Sequence, residues 1–284
     1  MNTTEYLSKW AISYKDDIIN NIMPFWMKYG LDREHEGVYT CVNRDGSLMD
    51  TTKSVWFQGR FGFIAAYAYN NIEKNPQWLA ASKSCIDFIE AHCFDTDGHM
   101  FFEVTEDGKP LRKRRYVFSE GFAAIAMAEY ALATGEKEYA KKALDIFKRT
   151  LHFLNTPGFL EPKYLPTLPS RGHSITMILI NTASRIRMVI DDPSLTEQID
   201  TSIAALRKYF IHPEFRALLE MVGPDGEFID TCNGRVINPG HCIETAWFIM
   251  EEAKYRNWDK DLLQLALQIL DWSWEWGWDK EFGG

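Results

Sequence analysis

No stretch of this 284-residue sequence approaches the eighteen or so consecutive apolar residues that span a bilayer, so no membrane crossing is expected. Basic charge is in deficit: 31 Lys and Arg stand against 40 Asp and Glu, a net charge of −9. That balance argues against a nucleic-acid or anionic-membrane surface. The one basic run, Lys109 to Arg115, is short and reads as a solvated strand edge. Cysteine is sparse, with five residues, an odd number, scattered without C-x-x-C pairing, which suggests free thiols in a reducing compartment. Cys242 follows His241, but adjacent helical residues point about 100° apart, which disfavours a Cys/His nucleophile pair. The N-terminus has neither a basic region nor an apolar run, so no signal peptide is read and a cytoplasmic location is expected. Glycine loops of the phosphate-cradling kind are missing. So is β-α-β spacing, which disfavours doubly wound and TIM-type sheets.

What the sequence does have is aromatic weight, 14%, with 10 Trp, 12 Tyr and 18 Phe. Most such residues fill cores, and a minority suit sugar stacking. It also has a repeat. An alternating segment, a turn and a second short segment precede a helical run at Glu36–Phe61, at Asp97–Phe122 and at Leu218–Cys242. The turn glycine and the glycine opening the helix are 13 residues apart (46 to 59), 13 apart (108 to 121) and 14 apart (226 to 240). A divergent copy runs from Gly158 through a Pro-rich loop to Gly172-His173. Each Asp-Gly reads as a hairpin turn. A second helical run follows each first one: 77–91, 138–154, 195–211 and 259–275. An opening helix, 6–27, is bent in its last turn by Pro24. A hairpin–helix–helix unit repeated at this period signals a repeat architecture, either a solenoid or a closed α/α toroid. In a toroid the residues beside each opening glycine share one rim. These are Trp56, Gln58, Arg60, Phe118, Glu120, His173, Asn238, His241 and Glu244, of which Trp56, Gln58, Arg60, Glu120, His173 and Asn238 are the expected substrate-binding residues. The last residues, Trp278 to Gly284, resemble the start of another hairpin, so the whole of 1–284 reads as a single domain ending in mid-repeat.

Asn238-Pro239-Gly240-His241-Cys242-Ile243-Glu244 carries the most pointed chemistry. Pro-Gly ends one element and opens a helix, which puts His241 in its first turn and Glu244 one turn on, on the same face. A histidine beside a carboxylate suits general acid/base work near neutral pH. The same pair also fits a plain helix start, with an acid near the positive end of the dipole. His241, Glu244 and His173 are ligand types for zinc, but with no His-Glu-x-x-His and no second cluster the expectation is no metal. Glu120 with Glu244 could serve as the carboxylate pair of a glycosidase, yet histidines stand where acids would be wanted.

Val55-Trp56-Phe57-Gln58-Gly59-Arg60, Arg115 to Phe122 and Asn238 to Phe248 together resemble the N-acylglucosamine 2-epimerase family, in order and spacing. The resemblance implies an all-α-dominated (α/α)6 toroid, here with about nine of twelve helices. It implies interconversion of N-acetylglucosamine and N-acetylmannosamine by taking and returning the C2 proton. His241 would be one of two catalytic histidines and Glu244 its companion carboxylate. Arg60 would lie near the sugar's carbonyl end, and the 177–181 segment, with Asn181, would contact the sugar. The family's second histidine lies on a later helix, beyond Gly284, so weak or absent turnover is expected of these residues alone. No cofactor is implied; ATP enters only as an effector of some relatives. The partners read are a sugar and, as a candidate, a second copy of the chain. Two alternatives stay open: an aldose–ketose isomerase or cellobiose 2-epimerase on the same fold, and an inactive sugar-binding or protein-interaction module.

Overall fold

The structure, a computed structural model, describes residues 2–114, 116–163 and 166–284. Arg115, at the end of the basic run and the start of one family-like segment, lies outside the described residues. Ten α-helices are described: α1 (Thr3–Asp17), α2 (Met23–Tyr29), α3 (Val55–Asn71), α4 (Pro76–His92), α5 (Phe118–Thr134), α6 (Lys137–Asn155), α7 (His173–Arg187), α8 (Pro193–Ala205), α9 (Pro239–Tyr255) and α10 (Lys260–Gly277). The strands are short: β1 (Cys41–Val42), β2 (Leu48–Asp50), β3 (Lys53–Ser54), β4 (Phe101–Val104), β5 (Pro110–Lys113), β6 (Arg171–Gly172), β7 (Ile211–His212), β8 (Ala217–Leu218) and β9 (Met221–Val222). The helix-dominated reading with paired helices and rim hairpins holds. The contacts cluster into two compact units, Met1–Leu160 with Met188–Ile190, and Glu161–Arg187 with Asp191–Gly284. No described helix is long and apolar enough to cross a membrane.

In the first unit α3 packs on both α4 and α5, and α5 on α6. α5 is buried continuously from Ser119 to Ala131. Its alanines give it an apolar surface all round, as a helix enclosed by its neighbours requires. Gly59 lets α3 approach: a Cβ there would stand 2.6 Å from the backbone carbon of Phe122. The glycine read as punctuation before the helix therefore lies inside it, and α3 begins six residues earlier than the pattern placed it. The opening helix, read as continuous, is broken by a π-helical turn at Ile18–Ile22, immediately before Pro24.

The hairpins are tied across copies. The strand leading into α3, β3, pairs antiparallel with β4 of the next copy, Lys53 opposite Val104 and Ser54 opposite Glu103. Lys53 is fully buried, and its Nζ donates to Asp32 Oδ2 at 2.7 Å, Glu36 O at 2.7 Å and Glu106 O at 2.9 Å. One ammonium with three acceptors, one of them a carboxylate, satisfies the requirement that buried charge be paired.

In the second unit α7 packs on α8 and α9, and α9 on α10. The fourth copy departs from the expected hairpin. The turn at Gly226 forms (φ +92°), but β9 pairs with β6, the lead-in to α7, and β8 pairs with β7. Among the described residues β9 pairs with β6 alone, and no return strand follows Gly226.

Candidate active site

The β6–β9 ladder builds the site. Arg171 faces Val222 and Gly172 faces Met221, so the next pair in register is His173 with Glu220, and His173 N donates to Glu220 O at 3.0 Å. His173 then opens α7, and Glu220 sits just before β9. The opening turn of α9 supplies the third member, His241, whose Nδ1 lies 3.0 Å from Glu220 Oε2. His173 Nδ1 approaches the same oxygen at 3.5 Å, an ion-pair separation without a hydrogen bond, and it has no hydrogen-bond partner.

Tautomers follow from the partners. The Thr245 hydroxyl donates to His241 O at 2.9 Å, the usual back-bond to the preceding turn. With its proton spent there, Thr245 Oγ1 accepts from His173 Nε2 at 2.8 Å. Glu220 is anionic, so His241 Nδ1–H donates to it, and a neutral His241 carries its lone pair on Nε2. Burial pushes the Glu220 carboxyl up, but His173 and His241 outweigh it and hold it at about 2. His173 is fully buried, whereas the His241 side chain is 36% exposed and Glu220 23%. The result is an imidazole base, oriented by a carboxylate, with access to solvent.

Glu244, expected as the companion carboxylate, is half-buried one turn along α9, but the group bonded to His241 Nδ1 is Glu220. The i to i+3 spacing shares a helix face; the ring instead turns toward the strand. Asn238 caps α9, its side chain accepting from His241 N at 3.3 Å. Asn181 is buried on α7.

Two further expectations shift in the first unit. Gln58 is fully buried, and its amide brackets one residue: Val38 N donates to Oε1 at 2.9 Å, and Nε2 donates to Val38 O at 2.6 Å. Glu120 is 1% exposed, with Oε1 2.5 Å from His99 Nδ1 and accepting from Met100 N at 2.7 Å. Both are braces between a hairpin and the helix after it, not members of an open rim. Partners in these braces are 20 residues apart at Val38–Gln58 and 21 at both His99–Glu120 and Glu220–His241. The fourth copy therefore repeats the second with acid and base exchanged, and opened to water. Trp56 is half-buried and meets Phe102, Phe118 and Phe122 at 5.1, 5.3 and 5.9 Å between ring centres. Arg60 is exposed and lies over Phe122 at 4.4 Å, a cation–π contact that leaves guanidinium edges for a ligand.

The sequence model of N-acylglucosamine 2-epimerase (GlcNAc 2-epimerase) matches residues 37–284. Rat N-acylglucosamine 2-epimerase is 29% identical over 275 residues, 94% of this chain and 65% of that protein. The human enzyme of that name is 28% identical over 94% of this chain and 64% of its own length. The chain thus spans just under two thirds of these two relatives. A cellobiose 2-epimerase of Eubacterium cellulosolvens is 28% identical over 53% of this chain. Among solved structures, cellobiose 2-epimerase from Bacillus thermoamylovorans superposes with a TM-score of 0.84 at 20% identity, over 96% of this chain and 74% of that one. A D-mannose isomerase gives 0.75 at 18% identity, over 96% and 73%. These likenesses assign the (α/α)6-toroid fold class.

Proposed function

The chain belongs to the N-acylglucosamine 2-epimerase family, and from that premise we propose that it carries the proton-abstracting half of a sugar 2-epimerase acting on N-acetylglucosamine and N-acetylmannosamine. The observation that carries the reading is the His241–Glu220 pair, half-exposed at the start of α9. In an open-chain sugar the C2–H is acidified by the neighbouring C1 aldehyde. His241 Nε2 takes that proton, the electron pair of the C–H bond moves to O1, and an enolate forms. Glu220 stabilises the resulting imidazolium through Nδ1–H, which lowers the cost of the charge that develops. Returning a proton to the opposite face of C2 gives the epimer; returning it to C1 in a hydroxylated sugar would give a ketose. The 29% identity with the rat N-acylglucosamine relative over 94% of this chain, against 22% with a Dictyoglomus turgidum cellobiose 2-epimerase over 89%, supports the N-acyl substrate. In the first unit, Trp56 and Arg60 offer an aromatic face and a guanidinium suited to a sugar.

Incubation with N-acetylmannosamine in D2O, followed by NMR, tests this. Deuterium enters at C2, and His241→Ala abolishes the exchange by at least about 100-fold, the scale of a lost general base. Exchange that survives in His241→Ala removes His241 from the role. No exchange in a folded parent protein, with sugar binding retained, favours the binding-module alternative.

A further inference from the structure

Three donors in the second unit converge more tightly than an acid/base pair needs. His173 Nδ1, a Glu220 carboxylate oxygen and His241 Nδ1 all lie within 4.8 Å of one another. Two of the edges are 3.0 Å and 3.5 Å. A tetrahedral zinc ion with ligands at about 2.0–2.1 Å requires donor–donor edges of about 3.3–3.4 Å. His173 adds the second, independent observation. It is fully buried, its Nε2–H is committed to Thr245, and its Nδ1 is aimed at Glu220 with no hydrogen-bond partner. No hydrogen bond joins that nitrogen to the Glu220 oxygen 3.5 Å away, and a cation between them would serve both.

We infer that His173, Glu220 and His241 form a binding site for a zinc-class divalent ion, with two imidazoles and one carboxylate as ligands and a fourth position open to solvent. This donor set differs from the one the sequence suggested by replacing Glu244 with Glu220. Occupancy has a defined chemical consequence. The ion sheds a water and takes the His241 Nδ1 lone pair; the Nδ1–H bond breaks, and an Nε2–H bond forms through solvent. No net proton is released, but the lone pair on Nε2 is gone. Zinc therefore acts as an off-switch on the base assigned above, and this consequence alone rests on that assignment. The other histidine-containing group of this kind, Asp32, His35 and Glu106, already has the Lys53 ammonium on Asp32 at 2.7 Å and is compensated without a metal.

The test uses the full chain without a histidine tag, stripped of metal, in a Cys41→Ser/Cys232→Ser background that removes the exposed thiols. Co2+ replaces zinc as a spectroscopic probe, and Zn2+ binding is measured by calorimetry. The expected results are the intense visible absorption of low-coordinate Co2+, one Zn2+ per chain, and at least about ten-fold weaker binding in Glu220→Gln. That substitution keeps an oxygen for His241 Nδ1–H while removing the anionic ligand, and a thermal melt confirms folding. Weak octahedral-type Co2+ absorption, or unchanged Zn2+ affinity in folded Glu220→Gln, overturns the site. If metal binds as expected and C2 exchange is undetectable without zinc, the site stands and the epimerase reading fails. If exchange occurs and Zn2+ binds without suppressing it, the off-switch fails.

Discussion

Glu120→Gln separates a brace from a sugar contact. Both His99 nitrogens face acceptors, Glu120 Oε1 at 2.5 Å and Arg114 O at 2.8 Å, so the ring fits its site as an imidazolium. Burial pushes the His99 pKa down, but the Glu120 carboxylate and the Arg114 carbonyl outweigh it and raise it above 6.5. Breaking a buried pair by deleting one charge costs about 3–5 kcal/mol. Glutamine keeps an oxygen for Met100 N–H and for one imidazole N–H, so the loss falls to the bottom of that range or below it, about 2–3 kcal/mol. At about 2–4 °C per kcal/mol for a unit of this size, the melting midpoint drops by about 5–10 °C. The pH dependence is the sharper signature. A histidine whose folded pKa is raised stabilises fully below its unfolded value and loses that contribution as pH rises through the folded one. The gap between parent and variant is therefore widest at about pH 6 and narrows in alkali. Urea unfolding at a series of pH values reads both quantities. Equal midpoints and equal pH slopes, together with lost C2 exchange, would refute the brace and return Glu120 to the substrate.

Other consequences can be checked with the same apparatus. Gln58→Leu strands the buried N–H and C=O of Val38 and is expected to cost about 2–4 kcal/mol in a urea melt, with proton exchange at C2 lost only in proportion to unfolding. Gly59→Ala forces a methyl into the Phe122 backbone and is expected to destabilise by about 1–3 kcal/mol or more, as overpacking does. Asn238→Ala removes the cap of α9 at about 1 kcal/mol; a large rise in KM without that loss would instead make Asn238 a sugar contact.

The helix pairs are legible because proline, glycine and asparagine punctuate them: Asn75-Pro76 opens α4, and Gly135-Glu136 joins α5 to α6. Helix starts were less so. Gly59 and Gly121 look like breakers, but each sits inside a helix, Gly59 because another backbone comes close. His241 was legible from its place after Pro-Gly. Its companion was not, because the i to i+3 rule offers only partners on the same helix, while Glu220 immediately precedes a strand that β6 holds in register. A signal was nonetheless present. His99 and Glu120 stand 21 residues apart in the second copy, and Glu220 and His241 are separated by the same interval.

That shared offset bears on how such a chain can acquire chemistry. Three of the copies carry a socket where a residue of the segment before the helix meets the helix's opening turn, already built to hold polar groups at hydrogen-bonding distance. A sealed socket contributes only rigidity. One left ajar, like that of Glu220 and His241, holds the same kind of pair where a small molecule can reach it. Reactivity in a duplicated scaffold can then arise by thinning the cover over an existing pair, with no new backbone geometry to invent.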